Sequence, residues 1–367
     1  MIRRLLLALL WCTLGGGGLV SGETTTDLED GFDIAGIDDV PARRGVEHPP
    51  WFKSSFLDLR EDLREAVAHG KQGLIVYFGQ PDCAYCQALL EVNWGRERDI
   101  VAYTRRHFDV VAIDIWGSRE VIDMEGRVLA EREFAVREGT HFTPSLIFYD
   151  ADGREALRLR GYYPPYKFRA ALEYVVDGFY RQESLRDYLA RADPPPKFEV
   201  GGLNEQAFFD PPPHALCRSR IPAARPLVVF FEQRECHACD ILHSDPLQDG
   251  ETRALLQRFQ VVQLDMWAQT PVITPSGERT TARRWAEDLQ LFYAPTLVFF
   301  DEGGQEVFRL DSVARLYRLR NTLRYVLAKG YREAPLQRWQ EDRQQYKSGL
   351  HETRETPSRL PESRRGL

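Results

Sequence analysis

The chain has 367 residues, with 55 acidic against 48 basic side chains and a formal net charge of -7. A mildly acidic body argues against nucleic acid as a partner. With 43% hydrophobic and 28% charged residues, nothing suggests wholesale disorder, and the length suffices for two domains with separate cores.

The first 22 residues read as a signal peptide. Arg3-Arg4 is basic, Leu5 to Leu19 is apolar and glycine-rich, and Val20-Ser21-Gly22 offers small residues for cleavage. The apolar run falls short of the roughly 20 residues of a spanning helix, so export is expected rather than anchoring. Cys12 would leave with it, because Trp11 stands where a lipid-attachment signal needs a small residue. Residues 23–50 are polar and aperiodic and are read as a flexible lead-in.

A first domain is expected over 51–183. Ser55, with Asp58 three residues on, can cap a helix in which Phe56, Leu59, Leu63 and Val67 recur at helical spacing, and Gly70 ends it. Leu74–Phe78 is a buried strand, followed by a helix opening at Cys83. Ile100–His107 continues as helix, and Val110–Trp116 is a second strand. A hairpin is expected around Met124-Glu125-Gly126. A helix over Ala130–Glu138, strands Ser145–Tyr149 and Glu155–Arg160, and a helix from Tyr166 to Tyr180 complete the order α-β-α-β-α-β-β-α. That order implies an α/β fold with a mixed central sheet and helices on both faces.

The pattern then repeats. Phe108-Asp-Val-Val-Ala-Ile-Asp114-Ile-Trp116 matches Phe259-Gln-Val-Val-Gln-Leu-Asp265-Met-Trp267, and Thr143-Pro144-Ser-Leu-Ile-Phe-Tyr-Asp150 matches Ala294-Pro295-Thr-Leu-Val-Phe-Phe-Asp301. Pro144 and Pro295 stand 151 positions apart, Cys83 and Cys236 153. The second copy is therefore two residues shorter between its cysteines and its second strand, near Asp245-Pro246. A proline-rich linker is expected over 184–213, marked by Pro194-Pro195-Pro196 and Pro211-Pro212-Pro213. The second domain follows over 214–332, its first helix reduced to a piece around His214–Arg220, and a polar tail over 333–367 closes the chain.

Chemistry concentrates in Cys83-Ala-Tyr-Cys86 and Cys236-His-Ala-Cys239, each following a strand and opening a helix. Unpaired N–H groups and the helix dipole favour a thiolate at the first cysteine. The closed loops are too short to constrain the unfolded chain much, so redox chemistry is a better reason for them than stability. A zinc ribbon would separate its pairs by about 15–20 residues, whereas 149 residues intervene here. Gln87 and Asp240 stand where c-type haem attachment needs histidine. No metal or other cofactor is expected. Cys217 is read as a buried small apolar residue, with a relay thiol or an intermolecular disulfide as alternatives. Trp116 and Trp267 are read as core or groove-wall residues, and His141 as a packing or surface residue.

A Cys-x-x-Cys at a helix start, paired with a proline opening a later strand, resembles the thioredoxin superfamily over roughly 53–181 and 215–331. The resemblance implies two tandem thioredoxin-like domains. It also implies that Pro144 and Pro295 are cis and, with Thr143 and Ala294, shape a groove where substrate strands dock beside the dithiol. The inserted hairpin and the phrases Ile-Asp-Ile-Trp-Gly-Ser (113–118) and Phe-Thr-Pro-Ser-Leu-Ile-Phe-Tyr-Asp (142–150) are similar to the periplasmic SoxW-type thioredoxins. That implies a periplasmic reductase of disulfides in exported proteins, recharged by a membrane dithiol electron donor. A disulfide oxidase or isomerase, or a client-binding chaperone with one non-catalytic domain, stays open. Tyr85 and His237 sit between the sulfurs as candidate tuning residues. Thioredoxin's buried aspartate, six residues before its first cysteine, is replaced by Tyr77 and Phe230, leaving Glu232 as a candidate for proton transfer.

Overall fold

The computed structural model describes residues 34–40, 47–140, 142–192 and 202–343. Domain one contains α1 (Leu59–Ala68), β1 (Gly73–Gly79), α2 (Ala84–Ala88), α3 (Arg98–His107), β2 (Phe108–Asp114), β3 (Glu120–Ile122) and β4 (Val128–Ala130). It continues with α4 (Glu131–Arg137), β5 (Ser145–Asp150), β6 (Glu155–Arg160), α5 (Pro165–Val176) and α6 (Leu185–Ala192). Domain two contains β7 (His214–Ala215), β8 (Leu227–Glu232), α7 (His237–Ser244), α8 (Gly250–Leu256), β9 (Gln260–Asp265), β10 (Pro271–Ile273) and β11 (Arg279–Thr281). After these come α9 (Ala282–Asp288), β12 (Thr296–Phe300), β13 (Glu306–Leu310) and α10 (Leu316–Leu327).

The two main sheets have equivalent orders, β2-β1-β5-β6 and β9-β8-β12-β13. In each, the first pair is parallel and the others antiparallel. The central strands are apolar at almost every position because both faces are covered. Successive side chains alternate between faces, so Ile75 and Tyr77 join the core under the Cys83 helix while Leu74, Val76 and Phe78 join the core on the other face. Val228 and Phe230 divide from Leu227, Val229 and Phe231 in the same way. This is the mixed α/β architecture expected, built twice.

The two-residue length difference lies between the first helix and the second. In domain one α2 runs into a π-helical stretch, Leu89–Arg96, before α3. In domain two α7 stops at Ser244, and α8 starts after Asp249, whose carboxylate accepts from Thr252 N. The π-helical stretch carries Trp94, almost fully buried and edge-on to Trp51, Phe52 and Phe168.

Several expectations need correction. Asp58, not Ser55, caps α1, accepting from Arg60 N and Glu61 N. Phe56 lies ahead of the helix and is exposed, and the Ser55 hydroxyl donates to Asp62 instead. The second copy has no helix at His214: β7 pairs in parallel with β10, and domain one keeps only a single bridge there, Asp58 with Ile122. The first stretch of the expected linker is α6, which buries Leu185, Tyr188 and Leu189. The expected tail begins with a helix over 336–343 that buries Leu336 and Trp339 in the second core. The lead-in is also engaged, with Ile34 and Ile37 buried against domain one. The expected signal peptide, the central linker residues 193–201, His141 and the tail beyond 343 lie outside the described residues.

The domains meet through equivalent surfaces. Tyr163, at the approach to α5, stacks on Phe292 at 5.7 Å and meets Tyr293 edge-on at 5.6 Å, and its hydroxyl donates to Asp311 O at 3.0 Å. Lys167 stands 5.9 Å from the Tyr293 ring. In the reciprocal position Arg318 stands 4.7 Å from the Phe142 ring. Gly161 and its repeat equivalent Ser312 touch at the centre, and a side chain at Gly161 would collide with the Ser312 hydroxyl. Domain one thus presents the start of α5, and domain two the start of α10, to the other's proline loop.

Candidate active site: two interface dithiols

Cys83 and Cys86 form one disulfide, and Cys236 and Cys239 form another. Each first cysteine is the N-cap of its helix, its sulfur accepting from the backbone N–H of the second cysteine at 3.0 Å in domain one and 3.1 Å in domain two. The residue before each, Asp82 or Glu235, has φ of +58° or +48°. Ordinary side chains resist that left-handed conformation, so both turns are held by their surroundings. Cys83 and Cys236 keep 8% and 7% exposure, whereas Cys86 and Cys239 have none. In each pair only the first cysteine keeps any exposure to solvent.

The proline loops lie against these sulfurs. Both Thr143-Pro144 and Ala294-Pro295 are joined by cis peptide bonds, as is Pro212-Pro213, which carried no sequence signal. Cys83 Sγ is 3.3 Å from Thr143 Oγ1, and Cys236 Sγ is 3.7 Å from Ala294 O. Trp116 Nε1 donates to Gln80 Oε1 at 2.8 Å and Trp267 Nε1 to Gln233 Oε1 at 3.1 Å, so each half-buried indole braces the turn leading to its dithiol.

The candidate tuning residues differ. Tyr85 is buried and its hydroxyl donates to Asp39 at 3.1 Å, while His237 is exposed. Burial pushes the Tyr85 phenol well above its ordinary range, against the opposing pull of Arg318. Arg318 is itself buried, stacked 3.8 Å from the Tyr85 ring, and burial lowers its pKa. A small pocket of about 70 Å³ lies beside Cys83, lined by Asp39, Tyr85, Thr143, Arg318 and Gln337 among others. Asp39, Arg318 and Gln337 had no sequence signal. Cys217 is exposed, contrary to expectation, with its thiol pKa lowered first by the Ser219 hydroxyl. Among the described residues no three His, Cys, Asp or Glu side chains are placed to hold a metal ion.

The strand positions that replace thioredoxin's aspartate have different solutions. Tyr77 is fully buried, and burial raises its phenol pKa strongly. Its hydroxyl fills the space beside Gly79, where a methyl group would run into it. Gly79→Ala should therefore cost about 1–3 kcal/mol from overpacking. Adding Tyr77→Phe should recover only part of the loss in a denaturant titration, because the ring carbons Cζ and Cε1 would still stand 2.7 and 2.8 Å from the new methyl group; full recovery would refute the steric account. In domain two the matching positions are Phe230 and Glu232. Glu232 is fully buried and bonded to His243 Nε2 at 2.9 and 3.1 Å. His243 lies four residues beyond Cys239, on the same face of α7; that spacing was readable, but its pairing was not.

Two strand-to-helix dithiols, each facing a cis-proline loop on a mixed sheet, define a tandem thioredoxin-fold protein. The thioredoxin-like domain family matches residues 59–176 and again 218–327, well over half of the chain, and the chain belongs to that family. No curated protein matches it. Among solved structures it is similar to a thioredoxin-fold protein from Helicobacter pylori, with 22% identity and TM-score 0.30 over 32% of this chain and 82% of that one. It is also similar to a thioredoxin from Thermus thermophilus, with 27% identity and TM-score 0.27 over 35% of this chain and 91% of that one. The first two thioredoxin domains of Saccharomyces cerevisiae Eps1p align over 75% of this chain and 99% of theirs, with 11% identity and TM-score 0.22.

Proposed function

We propose that the chain is an exported protein thiol–disulfide oxidoreductase that reduces disulfides of periplasmic proteins. The observation that carries this reading is the matched exposure pattern: in both domains the helix-capping cysteine keeps limited exposure and the second cysteine has none. In the reduced enzyme, Cys83 or Cys236 attacks a substrate disulfide as thiolate. One substrate sulfur leaves as thiolate and takes a proton, and a mixed disulfide remains. Cys86 or Cys239 then attacks the enzyme sulfur, closing the internal disulfide and releasing the second substrate thiol. The substrate gains two electrons and two protons, and a membrane dithiol donor restores them to the enzyme.

No cation lies between Cys83 and Cys86, so nothing local drives that pair toward an oxidising potential. His237 gives the second pair a modest bias in that direction. Redox titration should place both dithiols near or below about −220 mV, the first lower, with turnover of a model protein disulfide. Potentials well above about −180 mV would instead make the protein an oxidase or isomerase. Client binding without turnover would make it a chaperone.

A further inference from the structure

We propose that Asp39 pins a latch that holds domain two closed over the Cys83 dithiol, so that small disulfides reach Cys83 in the closed form and large ones only after release. The inference rests on the oxidoreductase reading and concerns regulation of that same site. It starts from a missing cap. Helix α10 receives no side-chain bond from its own N-cap residue, Arg315. Its first N–H groups would be orphaned without outside acceptors. The Asp39 carboxylate supplies them from the lead-in, accepting from Tyr317 N at 3.0 Å and Arg318 N at 2.8 Å.

The same carboxylate accepts from the Tyr85 hydroxyl, and that hydroxyl accepts from Arg315 N at 2.8 Å. Tyr85 lies inside the Cys83–Cys86 loop. One buried carboxylate therefore ties the redox loop of domain one to the helix start of domain two. The strap that carries it is fixed on both sides: Ile34 and Ile37 are buried in the core, and Ile37 O accepts from Arg315 Nε at 3.3 Å. A charged acceptor shared among several donors is the strong kind of hydrogen bond.

Closure occupies the groove itself. Arg318 donates to Thr143 O at 2.9 Å, using the carbonyl just ahead of Pro144. An extended substrate strand has to compete with Arg318 for that acceptor. Arg318 also lines the pocket beside Cys83, together with Asp39, Tyr85 and Thr143. Releasing Asp39 would orphan the Tyr317 and Arg318 N–H groups and leave the Tyr85 hydroxyl without its acceptor, which favours separation of the two surfaces.

The test uses the full chain with Cys12, Cys86, Cys217, Cys236 and Cys239 replaced by Ser, reduced and compared with its Asp39→Ala and Asp39→Asn derivatives. Cys83 is labelled with a small maleimide and with the same maleimide on a long polyethylene glycol chain. In the parent, the large reagent should react far more slowly than the small one. Asp39→Ala should raise the large-to-small rate ratio about tenfold, equivalent to about 1.4 kcal/mol in the closing equilibrium. Asp39→Asn, which keeps an acceptor oxygen, should raise it less. A parent ratio near one, or a ratio unmoved in the folded Asn variant, overturns the latch alone. A Cys83 that reacts with neither reagent in any of the chains overturns both the latch and the oxidoreductase reading.

Discussion

A chain carrying Cys86→Ser and Cys239→Ser should lose turnover and accumulate as covalent adducts with its substrates. Cys83 and Cys236 can still attack, because each caps its helix and keeps some access to solvent. What disappears is the partner that resolves the adduct. Cys86 lies one helical turn from Cys83 with a Cα–Cα distance of 5.2 Å, and Cys239 is placed equivalently at 5.1 Å. Well-oriented internal groups reach effective molarities of about 10⁵ M or more, so millimolar external thiol cannot replace them and turnover should fall at least about 10³-fold. Steady-state reduction of a protein disulfide measures the loss, and non-reducing mass spectrometry of the adducts identifies the clients. The single variants separate the domains. If Cys86→Ser alone abolishes turnover and Cys239→Ser neither slows it nor traps anything, domain two is a binding module. Turnover within tenfold of wild type in the double variant would defeat the dithiol mechanism.

The sequence made the local parts of this site readable. A dithiol three residues wide needs only one helix turn, and runs such as Leu74-Ile-Val-Tyr-Phe declare a strand covered on both faces. The duplication strengthened both readings, because each motif had a partner at nearly constant spacing. What escaped was non-local or weakly patterned. The apolar residues buried by helix α6 and by the helix over 336–343 form a narrow stripe, Leu185, Tyr188 and Leu189 in one and Leu336 and Trp339 in the other, within largely polar stretches. β7 is two residues long, too short to show alternation. Asp39 looks like any acidic residue of a polar lead-in until α10, 278 residues later, proves to lack its own cap. Cys217 was misplaced because free cysteines are usually buried, whereas here the segment after β7 leaves it at the surface.

Removing the Glu232 carboxylate should destabilise domain two more than its distance from the sulfurs suggests. Glu232 accepts from His243 on the dithiol helix and from Gln263 Nε2 at 2.9 Å on β9, so it fastens α7 to two strands of the sheet. Gln206 approaches the other ring nitrogen of His243 at 3.4 Å, closing a polar cluster inside the apolar core. Glu232→Ala leaves His243 and Gln263 buried without that acceptor, and breaking such a buried polar pair costs about 1–5 kcal/mol. His243→Leu leaves the buried carboxylate with Gln263 as its remaining donor and should cost a similar amount. Replacing both, Glu232→Met with His243→Leu, removes the two polar partners together. It should recover part of the loss, with a coupling of about 2 kcal/mol in a double-mutant cycle. Denaturant midpoints at constant slope give these values. Strict additivity would mean the pair acts as two separate residues, whereas strong coupling would mean that the Cys236–Cys239 helix is anchored by a polar cluster domain one does not have, since Gly79 holds the matching position there.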